Sequence, residues 1–397
     1  MESPHLYRSK APIGLDPAVI ERAIRLSTTQ SANGVQPILT LKHLANQAGV
    51  GFVFLERVCD RSIDPYVIYG VRKRVGSSRR MIAAPEEQLR VVQRWLLDHV
   101  FTNMHVHSSA FAYVKGRSAP MAARLHLGAN WMLKLDVRNF FHAFDERQVY
   151  DVLAGTGYSD LVRLQVARIS TRHVREYLPW LPEKYRESRS QEGASAARFA
   201  HTAAEIDAFE LTALPHDGGS RLGYLPQGAP SSGAISNLLS RELDRDLAEL
   251  GISRGLVYTR YADDIALSAS TPFSRKEAEA LMHDASRALR KHGLEPNHTK
   301  TRIVRPGLPI ELLGVRVDGE YTRVSRRVRE KIEFHIRAIE KFGLAAHAAH
   351  AGFGDAIGCA NHVIGLVRYA HDVEPQRAGA YFARIERAIP GLQVRPL

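Results

Sequence analysis

Apolar positions recur at helical spacing through residues 15–60, where Leu39, Leu41, Leu44 and Ala45 precede Phe52, Phe54, Leu55 and Val58 across the turn Ala48-Gly49-Val50-Gly51. This predicts a small helical preface. LTLKHLANQAGV can also be read as a helix-turn-helix, although helical pairs of this kind more often serve structure than DNA reading. The period shortens at Tyr66-Val67-Ile68-Tyr69 and again in VRKRVGSSRRMIAAP, which predicts a basic hairpin about a Gly-Ser-Ser turn. Residues 86–101 return to helical spacing, with Leu89, Val92, Leu96 and Val100 on one stripe and Pro85, Glu86 and Glu87 at the start.

Segment 131–136, WMLKLD, predicts a short apolar strand that ends in a carboxylate. Gln227 to Gly233 is a loop of Pro, Ser and Gly leading into a helix with Leu239, Leu243, Leu247 and Leu250 on one face. GLVYTRYADDIALSAS places two β-forming runs on either side of Ala262-Asp263-Asp264, a hairpin with carboxylates at its tip. Residues 171–222 are polar, Arg-rich and broken by Pro and Gly, and read as an insertion with short helices of its own. After 320 the chain reads as helical to near its end, opened by Arg323, Arg326, Arg327 and Arg329. No repeat of 20–50 residues is visible.

The 397 residues suffice for two or three subdomains around a full-sized core. The formal net charge of +12 favours a polyanionic partner, since neutralised phosphates release their counterions. Arg supplies 43 of the 54 cations, which fits bidentate phosphate contacts and fits coding bias equally well. Cys59 and Cys359 are too far apart in sequence for a disulfide framework or paired zinc ligands, so a reducing, cytoplasmic location is expected. No apolar run approaches a membrane span, and the N-terminus lacks the apolar core of a signal peptide.

The chemistry concentrates in Asp136, at a strand end, and in Asp263 and Asp264, at a hairpin tip. A solvated surface is the usual setting for an Asp-Asp pair. Here the pair is set in apolar β-sequence, where adjacent charges are costly unless cations compensate them. Such carboxylates can gather two Mg2+ ions about 3.5–4 Å apart, which suits nucleotidyl transfer.

Several motifs in order carry a family resemblance. YADD at 261–264, LKLDVRNFF at 133–141, LPQGAPSSGAISNLLS at 225–240, GLEPNHTKTRIV at 293–304 and ELLGVRV at 311–317 follow RKRVGSSRRMIAAPEEQLRVVQRWLL and AFAYVKGRSAPMAARLH. Together they resemble a bacterial reverse transcriptase of the retron and group II intron lineage, over roughly residues 39–390. The resemblance implies an α+β right-hand polymerase: an N-terminal helical extension at 1–55, fingers at 56–130, a palm of antiparallel sheet and helices at 131–320 carrying the 171–222 insertion, and a helical thumb at 321–397.

It also implies roles. Asp136, Asp263 and Asp264 would hold two Mg2+ ions, with Mn2+ as a substitute. Phe141 would exclude the 2′-hydroxyl of an incoming nucleotide, its other reading being a plain core Phe. Arg80 would grip the triphosphate, with Arg79 competing if the register slips by one. Gln227 would touch the nucleotide or simply cap the following helix. Lys300 would protonate pyrophosphate or be an exposed structural lysine. Lys73, Arg74, Lys115, Arg117, Arg326 and Arg327 would meet nucleic-acid phosphates or form a solvated face.

The motif departs from the family at Gly233, where Ser-Pro is usual and the loss of Pro would loosen the loop. VSRR at 324–327 stands where many retron enzymes have Val-Thr-Gly, and AARLH at 122–126 lacks the expected Asn before Ala. Retron enzymes remain the nearest match. That implies a structured noncoding RNA serving as primer and template, dNTPs as substrates, a branched RNA–DNA product (msDNA), and an effector protein encoded nearby in anti-phage defence. Other defence, group II intron-like or diversity-generating reverse transcriptases form the alternative, and a noncatalytic RNA-binding protein is the reading from another class.

Overall fold

The computed structural model describes residue 8 and residues 14–72, 79–173, 222–271 and 274–389. Lys73 and Arg74, the Gly-Ser-Ser turn and nearly all of the 171–222 insertion lie outside the described residues. Among the described residues, the preface read at 15–60 forms three helices. Asp16 caps α1 (Pro17–Ala32), and Thr40 caps α2 (Leu41–Ala48), which ends at Gly49 with φ +69° before α3 (Phe52–Cys59). The hairpin β1 (Tyr66–Arg72) and β2 (Arg79–Pro85) then leads into α4 (Glu87–His99). Next come α5 (Ala119–Arg124), β3 (Trp131–Asp136), α6 (Glu146–Val152) with a capping box from Asp145 and Gln148, and α7 (Asp160–Ser170).

The helix expected after Gly233 is two helices, α8 (Ser232–Leu239) and α9 (Arg241–Ser253), parted at Ser240. The carboxylate hairpin is β4 (Val257–Tyr261) and β5 (Asp264–Ala269), followed by α10 (Arg275–Lys291) and β6 (Arg302–Val304). Three short strands, β7 (Glu311–Leu312), β8 (Val315–Arg316) and β9 (Arg323–Val324), come before α11 (Arg326–Phe342), α12 (Leu344–Ala351), α13 (Ala356–Val373) and α14 (Pro375–Ala388). Arg323 therefore opens a strand and not the helical region. Val324 pairs with Val315 and is buried, and Ser325 then caps α11.

The chain divides into two compact units. The first comprises residues 1–115, 137–245 and 291–294. Its core includes the α4 stripe read from sequence, Leu89, Val92, Leu96 and Val100, all fully buried. Buried polar groups pin the loops. Gln93 Nε2 donates to Tyr66 Oη and to the Ile169 carbonyl, both at 2.8 Å. Glu146 accepts from Arg61 at 2.5 Å, from Arg168 at 3.1 Å and from the Gly223 N–H at 3.2 Å, which ties residue 223 to α6 and α7.

The second unit comprises residues 116–136, 246–290 and 295–397. Its antiparallel sheet has the order β4-β5-β3-β6, and β3 is buried along its length except at Lys134. Each β3 residue finds a β5 partner, from Trp131 opposite Ala269 to Asp136 opposite Asp264. Met132 and Ala266 share one core with Leu312, Val315 and Val324 of the small sheet and with Ile332, Ile336, Val363 and Val367 of α11 and α13. Behind β4 and β5, the buried His126 bridges Ser268 Oγ and Thr259 Oγ1 at 2.7 Å each. Burial, with help from the Lys134 charge, pushes its imidazole down to about 4, so a neutral ring joins the two strands.

Burial alone would raise the Glu146 pKa, but Arg61, Arg168 and the Gly223 N–H overcome it and hold the carboxyl below its ordinary value. A depressed carboxylate stabilises the fold above the unfolded value of 4.5, and that contribution fades as pH falls through the folded value. Glu146→Ala strands two cations at a largely buried site and should cost about 3 kcal/mol. Urea denaturation at pH 7 and at pH 4 is expected to show a smaller difference between wild type and variant at the lower pH.

Candidate active site

The two-residue turn that closes the β4–β5 hairpin sets the geometry. Tyr261 pairs directly with Asp264 and leaves Ala262 and Asp263 alone at the tip. Ala262 takes φ +56°, a left-handed position that favours Gly, and it is buried, so the turn is held by its surroundings. Across the sheet, the β3–β5 register brings Asp136 opposite Asp264. The Asp264 carboxyl still reaches solvent, yet it is pushed up to about 6, first by the protein crowded around it and then by the charges of Asp263 and Asp136; Lys134 and Lys300 pull the other way.

Asp136 is buried and gripped from one turn. Asn297 Nδ2 donates to Oδ1 at 2.8 Å, Lys300 Nζ donates to Oδ2 at 2.7 Å, and the Asn297 N–H donates to the Asp136 carbonyl at 2.7 Å. Thr299 Oγ1 in turn donates to Asn297 Oδ1 at 2.8 Å, which orients the amide. The sequence motifs assign no role to Asn297 or to Lys134. Lys134 does carry a readable signal, because it lies two residues before Asp136 on one strand and so shares its face. Its ammonium donates to the Glu311 carbonyl, and burial, then Arg302, lowers it to about 8 while Asp264 and Glu311 oppose that shift.

Among the described residues, no three His, Cys, Asp or Glu side chains close on a common point as a ready cage. The donor set nevertheless suits a hard divalent cation. Asp136 and Asp264 face each other across one sheet end with Asp263 at the adjoining turn, and carboxylate oxygens are the donors such a cation takes.

The remaining candidates are divided between the two units. In the first unit, β2 carries the exposed Arg80, and the Ala83 N–H of that strand donates to the Gln227 carbonyl at 2.8 Å. Phe141 is half-buried and meets Phe140 and Tyr113 edge-on, at centroid distances of 5.5 and 6.1 Å. Gly233 is buried inside α8 rather than part of a loosened loop, because Ser232 Oγ holds the Pro226 carbonyl at 2.7 Å and Ser236 Oγ holds the Gly233 carbonyl at 2.8 Å. Lys115 of this unit is exposed, and Arg117, which belongs to the second unit, is partly so. In the second unit, Arg326 and Arg327 stand on the exposed first turn of α11, where Arg326 pairs with Glu330 at 2.7 Å.

Residues 220–317 match the reverse transcriptase (RNA-dependent DNA polymerase) family. Over 89% of its length the chain is 27% identical to the retron Mx162 reverse transcriptase of Myxococcus xanthus, covering 68% of that protein. It is 29% identical to the retron Mx65 enzyme of the same organism, over 79% of this chain and 62% of that protein, and 26% identical to the retron Ec86 enzyme of Escherichia coli, over 69% and 70%. The chain is similar to retron-type reverse transcriptases. A solved telomerase from Candida albicans aligns at 14% identity with a TM-score of 0.36, over 82% of this chain and 57% of that one, too loosely to add to this. The matched domain and these relatives support an RNA-directed DNA polymerase, and such enzymes work with divalent metal ions. No helix among the described residues is long and apolar enough to cross a membrane.

Removing the amide in Asn297→Ala leaves a buried carboxylate one donor short. The expected result is a loss of about 1–3 kcal/mol of stability, with slower primer extension, read by thermal unfolding and a single-nucleotide extension assay.

Proposed function

We propose that the polymerase copies part of a structured noncoding RNA into DNA, starting from a 2′-hydroxyl of that RNA and yielding a branched RNA–DNA product used with a neighbouring effector in anti-phage defence. The observation that carries the catalytic part is the pairing of Asp136 with Asp264 beside Asp263 at one sheet end. In this reading the three carboxylates hold two Mg2+ ions, or Mn2+ in their place. When bound, the ions supply activation of the attacking hydroxyl and charge stabilisation on the leaving pyrophosphate.

The chain's own residues do the rest. Arg80 binds the triphosphate through its planar fork, Gln227 contacts the incoming dNTP, and Phe141 excludes an rNTP by filling the space of its 2′-hydroxyl. Lys300 Nζ, held on Asp136, donates a proton to pyrophosphate. Lys115, Arg117, Arg326 and Arg327, with Lys73 and Arg74, neutralise template and primer phosphates. Fingers at 56–130, a palm at 131–320 and a thumb at 321–397 are the matching division of the chain, in the cytoplasm.

Asp263→Ala with Asp264→Ala should abolish primer extension while RNA binding persists. Phe141→Ala should admit rNTPs, and unchanged rNTP incorporation would refute the sugar-selection role. For the retron assignment, the protein is expressed from its native locus, and the copurifying nucleic acid is sequenced before and after RNase and debranching treatment. A discrete DNA joined to RNA through a branch is expected; unlinked nucleic acid with active protein would overturn the retron product and leave the polymerase standing.

A further inference from the structure

The Gly at 233, where relatives in the family usually carry Pro, is explained by what lies over it. A Cβ on Gly233 would come within 2.4 Å of Tyr113 Cγ and 2.6 Å of Cδ1, so the ring rests on the bare helix backbone. One turn further along the same face of α8, Asn237 Nδ2 donates to the Ala112 carbonyl at 2.6 Å and anchors the chain just before Tyr113. Tyr113 itself takes φ +59°, a strained position for a bulky aromatic residue, and stays 54% exposed. Its ring meets Phe141 edge-on at 6.1 Å and 60°.

We propose that Tyr113, seated on Gly233, is a positioning residue that holds Phe141 in the orientation that selects the sugar of the incoming nucleotide. The proposal rests on the sugar-selection reading of Phe141. An unsupported Phe141 could turn away from the sugar, whereas an edge contact from a ring fixed at its backbone restricts that motion. The contact uses the ring and not the hydroxyl, so Phe at 113 should serve as well as Tyr.

The test is the ratio of kcat/KM for dNTP over rNTP, measured on the full chain with an RNA template and DNA primer. Tyr113→Asn tolerates the left-handed backbone while removing the ring, and is expected to lower the ratio about three- to tenfold, the worth of one aromatic pair. Tyr113→Phe should restore it. Gly233→Ala, which expels the ring, should behave like Tyr113→Asn, and neither should add to Phe141→Ala. If Phe141→Ala relaxes selection but Tyr113→Asn does not, the Tyr113 role is wrong and the Phe141 reading survives. If Phe141→Ala changes nothing, both fall. An additive effect of the two substitutions also overturns the proposal, since Tyr113 would then act independently of Phe141.

Discussion

The register between β3 and β5 is the constraint on which the second unit depends. It sets Asp136 directly opposite Asp264, and like charges placed opposite one another oppose the pairing that brings them together. A slip of one residue would relieve the repulsion and turn every buried side chain of β3 to the wrong face. The sheet resists that slip with Trp131 and Met132 in its core, His126 bridging β4 to β5, and a tip turn that accepts φ +56° at Ala262. The fold thus spends packing to concentrate negative charge at one end of a sheet.

The cations nearby differ in how firmly they are held. Lys134 is partly buried on the strand and fixed in position by the Glu311 carbonyl. Lys300 is 54% exposed on a turn and holds one carboxylate oxygen while Asn297 holds the other. Only the lysine end of this pair reaches solvent, so Asn297 can keep the buried Asp136 oriented when Lys300 turns to another anion.

Much of this is legible in the sequence where the local pattern and the global fold agree. The strand at 131–136, the hairpin and the α4 stripe follow from period and turn chemistry alone, although the tip read as Ala262-Asp263-Asp264 is Ala262-Asp263, with Asp264 paired into β5. The break at Ser240 is not legible, because the leucine spacing runs on across it. Arg323 reads as helical because a two-residue strand has no period of its own. Asn297 is hidden for a different reason: its donor role depends on a strand more than a hundred residues away, and a single Asn in a polar loop carries no local signal.

The departure at Gly233 shows how a motif position can mislead when it is read alone. Gly within a helix costs about 1 kcal/mol relative to Ala, and a left-handed Tyr costs about 1–3 kcal/mol more. Both costs fall at one contact, where the missing side chain makes room for the ring. Pro at 233 would fill that space and displace Tyr113, so the residues at 113 and 233 are linked by volume despite their separation in sequence. The absent Pro is then one half of a packing solution, and the strain at Tyr113 is the other half.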